Sequence, residues 1–190
     1  MNAGILCFAK SGYKKTSIAG IAEEAGISKA AIFHYFGTKK DLYLYLYNYA
    51  HNELLVLLGK GTRDFFECLT LYLQARIALS KKHPGMYEFL GLQNQTEGFE
   101  DIDELVKMEK EHCSQHIATL FKKVDWSRFQ KGYDRETIMN LTGWVGEGCL
   151  SHFSKSMSLD EVHTEVERNL LILKKALYKP EYIKGEKHVH

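Results

Sequence analysis

The sequence predicts an all-α chain, and three observations carry that prediction. Apolar residues recur at helical spacing through nearly all of the 190 residues. Prolines number only two, Pro84 and Pro180, so little interrupts long helices. Glycines and Ser/Thr/Asp residues fall at regular stops and starts, as helix caps do. About nine helices and no sheet are expected.

Taken in order, Asn2 is positioned to cap a first helix, Ala3 to Lys10, that Gly12 ends. Thr16 or Ser17 caps a second, to Ala25, with Gly26 free to take the left-handed conformation that stops it. Ser28 caps a third, to Phe36, closed by Gly37. Thr38 caps a fourth, with Asp41 in its first turn complementing the macrodipole, and this helix runs to about Leu58 before Gly59 and Gly61.

The fourth helix contains "DLYLYLYNYA" (Asp41–Ala50), whose alternation of Leu and Tyr has the period of a strand. On a helix, however, Leu42, Tyr45, Leu46 and Tyr49 form one stripe, and Tyr43, Tyr47, Ala50 and Leu54 an adjacent one. Asn48, His51 and Asn52 gather opposite. Two contiguous apolar stripes suit a helix that packs on one body at its start and another further on.

Thr62 is expected to start a helix to about Lys82, and Pro84 to open a shorter one. After "NQTEGFED" a helix spans about Ile102 to Lys123, followed by the loop "VDWSRFQKGYD". Asp134 caps a helix to about Ser156, and Ser158 with Glu161 forms a capping box for the last.

Composition narrows the classes. Hydrophobic residues at 45% and charged residues at 26% are those of an ordinary globular chain. No apolar run approaches the ~20 residues of a membrane span, and no charged-then-apolar leader opens the sequence, so a cytoplasmic protein without membrane contact is expected. The four cysteines, Cys7, Cys68, Cys113 and Cys149, are scattered without a CxxC pair and read as free thiols. Net charge is only +1, but residues 1–41 carry six Lys/Arg against three Asp/Glu, and the remainder 19 against 21. A basic head on a slightly acidic body suggests that one end meets a polyanion.

The head also holds the most informative segment, "TSIAGIAEEAGISKAAIFHYFGTK" (Thr16–Lys39). Two short helices joined at Ala25–Gly26–Ile27 have helix-turn-helix spacing. Ile18, Ile21, Ala22, Ala25, Ile27, Ile32 and Tyr35 fall where such a unit needs packing. By spacing alone it is either a DNA-reading unit, with its second helix in the major groove, or an ordinary αα-hairpin.

The stretch "FAKSGYKKTSIAGIAEEAGISKAAIFHYFGTKKDLY" resembles the N-terminal domain of the tetracycline-repressor (TetR/AcrR) family of transcriptional regulators. Phe8, Gly12–Tyr13, Thr16–Ser17, Ile21–Ala22, Ala25–Gly26–Ile27–Ser28, Phe36, Lys39 and Leu42 carry the likeness. The resemblance implies a three-helix DNA-binding domain over residues 1–45 and a helical ligand-binding and dimerisation domain over 46–190. It further implies a ligand-responsive regulator, most naturally a repressor, that binds a palindromic operator as a homodimer and is released by a small-molecule effector, with no cofactor. In two respects this chain departs from the family. Its first helix begins almost at Met1, and Ala19 stands where a longer polar residue is common.

The residues fit this chemistry. Thr16, Ser17, Tyr35 and Lys39 are candidate phosphate donors, flanked by Lys14 and Lys15. Ser28, Lys29, Ala30, Ala31, Phe33 and His34 lie on the early turns of the recognition helix, and the three apolar ones suit thymine methyls or close backbone approach. Reading is therefore expected to lean on DNA shape as well as on direct hydrogen bonds.

In the body, Leu159, Val162, Val166, Leu170, Leu173 and Leu177 step by three and four, and Gly143, Gly146 and Gly148 sit on the preceding helix near Trp144 and Leu150. These glycines cost roughly 1 kcal/mol each relative to alanine, which close helix approach offsets. The resemblance implies that the last two helices form a dimeric four-helix bundle. Phe66, Leu69, Tyr72, Tyr87, Phe89, Leu90, Gln93, Met108, His112, Phe121 and Trp144 are candidate lining for a site taking an apolar or aromatic effector. Each also reads as plain core.

Two other readings stand beside this one. Glu109, His112 and His116 share a helix face, with Cys113 adjacent, so an all-helical metal-dependent enzyme is one. A solvated charged face explains the same residues, and no phosphate loop, nucleophile elbow or HExxH accompanies them. The other is a DNA-binding protein that senses nothing.

Overall fold

A computed structural model describes residues 1–58, 61–91, 118–153 and 157–183, with isolated helical positions at 107, 111, 114 and 115. Side chains of 147 and 149–153 lie outside that description, so nothing is assigned to the Leu150 side chain. The described residues contain eight α-helices and no strand. They are α1 (Asn2–Lys15), α2 (Ile18–Ala25), α3 (Lys29–Phe36), α4 (Lys39–Leu58), α5 (Phe65–Lys82), α6 (Met86–Gly91), α7 (Arg135–Phe153) and α8 (Leu159–Leu177). None is long and apolar enough to cross a membrane. The chain divides into two compact units, Met1–Lys60 with Ala75–Leu120, and Gly61–Gln74 with Phe121–His190.

In the first unit, α1 begins at Asn2 with Met1 as N-cap, and no side chain caps it. Asn2 does not cap because its Oδ1 instead meets His83 Nδ1 at 3.0 Å. The helix extends past the expected Lys10, but Gly12 breaks its geometry at φ 70°, ψ 172°, a conformation that glycine adopts without a Cβ clash. α1 packs on α2, α4 and α6. At Gly85 (φ 80°) the α5–α6 corner comes so close to α1 that an added Cβ would sit 3.3 Å from the Leu6 Cα.

The tyrosine-rich α4 packs on α1, α3 and α6. Tyr43 and Tyr47 are buried, and Tyr43 meets the rings of Phe8, Tyr13 and Phe89 at 5.2, 5.2 and 5.6 Å. Burial holds the Tyr43 phenol well above its usual range. Tyr45, expected inside, is 49% exposed. His51, expected on the polar face, is buried, its Nδ1 3.0 Å from the Tyr47 carbonyl and its ring 4.2 Å from that of Tyr47. The i, i+4 contact gives the buried Nδ1 a partner within its own helix.

In the second unit α5 starts at Phe65, three residues later than expected from Thr62. Asp64 is the cap, its Oδ1 accepting from Glu67 N at 3.1 Å, whereas Thr62 turns back onto Asp64 N. The same carboxylate accepts from Arg128 Nη1 at 3.0 Å and Lys174 Nζ at 3.3 Å. Phe65, Phe66, Phe129 and Tyr178 form a buried aromatic cluster, and Phe65 N donates to the Tyr178 hydroxyl at 3.0 Å. The expected loop around Trp126 is a 3₁₀ turn, Trp126–Arg128, followed by one antiparallel bridge, Phe129 with Tyr178.

α7 and α8 pack together. Asp134 accepts from Thr137 N at 2.7 Å, and Ser158 with Glu161 completes a reciprocal capping box. Val162, Val166, Leu170 and Leu177 are buried within the chain, and Leu159 and Leu173 are half-buried, so the stripe faces inward. Nothing among the described residues lies within 4 Å of a Cβ built at Gly143, Gly146 or Gly148. Packing against the described residues therefore does not explain those glycines.

Candidate nucleic-acid interface

The sequence of the head makes three helical stops in under thirty residues, and each stop positions a polar group. Thr16 is buried, its hydroxyl 2.7 Å from the Gly12 carbonyl and 3.1 Å from that of Cys7. It locks the end of α1 rather than facing solvent. Ser17 Oγ accepts from Gly20 N at 3.0 Å and caps α2, which leaves its hydroxyl proton for an outside acceptor. α2 stops at Gly26 (φ 65°, ψ 30°), whose N–H returns to the carbonyls of Ala22 and Glu23.

Ser28 repeats the device for α3, Oγ accepting from Ala31 N at 3.1 Å. One side of α3 is anchored by Ile32, which is 3% exposed. The other side carries Lys29, Ala30, Phe33, His34 and Tyr35, all exposed, with Ala31 half-buried. Phe33 is 43% and Tyr35 78% exposed. The His34 ring packs edge-on against Tyr35, and the Lys29 ammonium lies 5.5 Å from the Phe33 ring centre. Of the residues assigned to packing, Ile18, Ile21, Ala22 and Ile32 are inside, whereas Ala25, Ile27 and Tyr35 are outside. Ala25 and Ile27 instead border a small cleft of about 60 Å³ together with Ile21, Ile32 and Leu46.

Gly37 closes α3, and Thr38 and Asp41 cap α4 reciprocally. Lys39 behaves differently from the other candidate donors. Its ammonium reaches the carbonyls of Tyr13, Lys14 and Thr16 at 3.0, 3.4 and 3.2 Å and lies 4.4 Å from the Tyr13 ring centre. Partial burial lowers its pKa.

Sequence reasoning missed a cleft of about 210 Å³ beside Ser17 and Gly20, bordered by Lys10, Ser11 and Lys15. The basic pairs signalled charge there, but not the concavity. Exposed Ile27 was missed as well; its position after a turn glycine was the available hint.

The candidate effector residues are divided between the two units. Phe66 lies in the aromatic cluster of the second unit, where Phe65 also meets Phe121 at 5.4 Å. Tyr72 is half-buried, and Trp144 is 68% exposed. Tyr87, in the first unit, is held by Arg76, which stacks on its ring at 4.5 Å and donates to its carbonyl at 2.9 Å. Gln93, Met108 and His112 lie outside the described residues. So do Glu109, Cys113 and His116. Among the described residues no group of three His, Cys, Asp or Glu side chains is arranged to hold a metal ion. Phe66 also borders an open groove of about 400 Å³ with Asp64, Glu67, Thr70, Glu167 and Leu170.

Three short helices, two serine caps and an outward-facing third helix define a helix-turn-helix head on an all-helical chain. Residues 1–46 match the family model described as "Bacterial regulatory proteins, tetR family". Over 40 residues the chain is 45% identical to the HTH-type transcriptional repressor AcnR of Corynebacterium glutamicum, a match spanning 21% of each chain. The shared stretch is thus about a fifth of that repressor's length. Across the whole fold the chain is similar to the TetR family transcriptional regulator PfmR from Thermus thermophilus. That likeness has a TM-score of 0.64 at 18% identity and covers 98% of this chain and 95% of that one. A TetR family regulator from Chloroflexus aurantiacus gives 0.63 at 20% identity, covering 94% and 91%. The first 46 residues thus match the tetR family model, and the fold of the chain is similar to that of solved TetR family regulators.

Proposed function

We infer that the protein is a DNA-binding transcriptional regulator, a repressor that binds an inverted-repeat operator as a homodimer and releases it when a small molecule binds. The observation that carries the reading is the outer face of α3. Lys29, Ala30, Phe33, His34 and Tyr35 stand uncovered there, beside serine hydroxyls fixed by their own capping bonds. Ser28, Lys29 and His34 supply hydrogen bonds to base edges, and Phe33 with the alanines supplies apolar contact. Ser17, Tyr35 and the neighbouring lysines bind phosphates.

A second copy supplies the matching half-site reader. The face it covers is not the Val162–Val166–Leu170 stripe, which is used inside the chain, but the exposed Met139, Trp144, Leu171 and Ile172 with Gly143. Three uncrowded glycines on α7 support close approach by a partner helix. The effector is apolar or aromatic, given the side chains proposed to line its site, and it favours a state in which the two α3 helices no longer match the operator. Reciprocity requires DNA to weaken effector binding by the same factor.

The test is a salt titration of the full chain on a mixed-sequence duplex. Affinity should fall steeply, by roughly 10³-fold or more between about 50 and 200 mM salt. No binding at low salt, or binding indifferent to salt, would contradict the reading.

A further inference from the structure

The geometry points to Lys39 as a positioning residue that clamps the end of α1 to the start of α4, and not as a phosphate ligand. This rests on the DNA-binding reading for its consequence, though not for its geometry. An ammonium has three N–H groups, and here three carbonyls receive them: Tyr13, Lys14 and Thr16, at 3.0, 3.4 and 3.2 Å. No donor is left for a phosphate. The carbonyls are those that a helix end leaves without intrahelical partners, and a cation at that end also meets the negative pole of the helix. The Tyr13 ring also lies against the ammonium, its centre 4.4 Å away. Tyr13 is itself wedged between Phe8 and Tyr43, with ring centres at 6.0 and 5.2 Å.

What the clamp positions is the link between α1 and α2. The last carbonyl it holds belongs to Thr16, directly before Ser17, the cap of α2. Lys14 and Lys15 lie on the same short stretch. Lys39 therefore sets where Lys14, Lys15 and the Ser17 hydroxyl stand relative to α4. An arginine cannot replace it, because a planar guanidinium fork does not meet three convergent carbonyls, whereas a phosphate accepts arginine readily.

Lys39→Arg and Lys39→Met in the full chain separate the roles, read by amide hydrogen exchange without DNA and by the salt slope on a mixed-sequence duplex. The expected result is that both variants speed exchange at Gly20 and Ile21, whose N–H groups bond to Ser17, about tenfold without DNA. Both should also weaken DNA binding alike, with no rescue by arginine. The proposal is overturned if exchange is unchanged, Arg binds as wild type does, and Met alone lowers the slope by about 0.9 per phosphate contact. If the variants unfold, the ¹⁵N signal of the Lys39 ammonium in wild-type protein decides. A protected signal that DNA leaves in place supports the clamp, and one in free exchange with water removes it. Should wild type bind no duplex, the regulator reading fails, while exchange and the ammonium signal still judge the clamp.

Discussion

Two helix starts in this molecule use one charge in opposite senses. At the start of α4, Lys39 gathers three backbone carbonyls from the end of another helix. At the start of α5, Asp64 gathers two side-chain cations, Arg128 and Lys174, and caps its own helix through Glu67 N. The first joins elements of the head through main chain, so it fixes where the chain runs. The second joins the second unit through side chains 64 and 110 positions away in sequence, so it fixes which elements meet. Both charges are spent inside the molecule, and neither contributes to the outward field that counting charges in the sequence suggests.

The comparison sharpens first at Asp64. Asp64→Ala removes the carboxylate that Arg128 and Lys174 share, at a site where these side chains are 24% and 14% exposed, and leaves Arg128 the longer 4.0 Å contact to Asp125. Breaking such a pair costs about 3–5 kcal/mol. Urea unfolding should report a loss of this size, and a change under about 1 kcal/mol, the worth of a surface ion pair, would contradict it.

Next comes the assignment of faces on α7 and α8. Leu170→Ala empties a buried site and should cost about 2–5 kcal/mol in unfolding free energy. Trp144→Glu should instead dissociate dimers in sedimentation velocity, by about 2 kcal/mol or more of association energy, while helical content stays unchanged. If Leu170→Ala dissociated the dimer and Trp144→Glu did nothing, the two faces would have to be exchanged.

A smaller effect is expected at the caps. Ser28→Ala should cost about 1 kcal/mol and Ser28→Gly only a few tenths, read from thermal melts. Equal losses would mean that the serine acts through something other than its bond to Ala31 N.

The smallest effect concerns pH. Hydrogen bonds from the Thr137 and Ser158 backbone N–H groups hold the Asp134 and Glu161 carboxyls below their usual range. A carboxyl whose folded pKa is depressed adds stability above its unfolded pKa, about 4, and loses it as pH falls through the folded value. Glu161→Gln should therefore flatten the acid limb of the stability profile below about pH 4, and an unchanged limb would remove the capping box as its source.

Much of this was legible in sequence where the signal is local. Ser17, Gly26, Ser28, Gly37, Asp134 and the Ser158–Glu161 pair act within four residues of themselves, and the structure places each at the helix end expected. The outward face of α3 was legible for the same reason. Partner choice was not. A stripe such as Val162–Val166–Leu170 says that a face is buried but not against what, so the dimer face was assigned to residues that the chain itself covers. His51 read as polar because a bond to its own helix's carbonyl leaves no mark on periodicity. Lys39 read as a phosphate donor because its partners are carbonyls 23 to 26 residues away, which every residue type possesses.

The central claim is that α3 reads DNA in a symmetric pair. Selection of bound duplexes from random DNA by the full chain tests it most directly. The expected result is an enriched inverted repeat with half-site centres about one helical turn, ~34 Å, apart or a multiple of it. Salt-sensitive binding with no enriched repeat would contradict it and leave a protein that holds DNA without reading it.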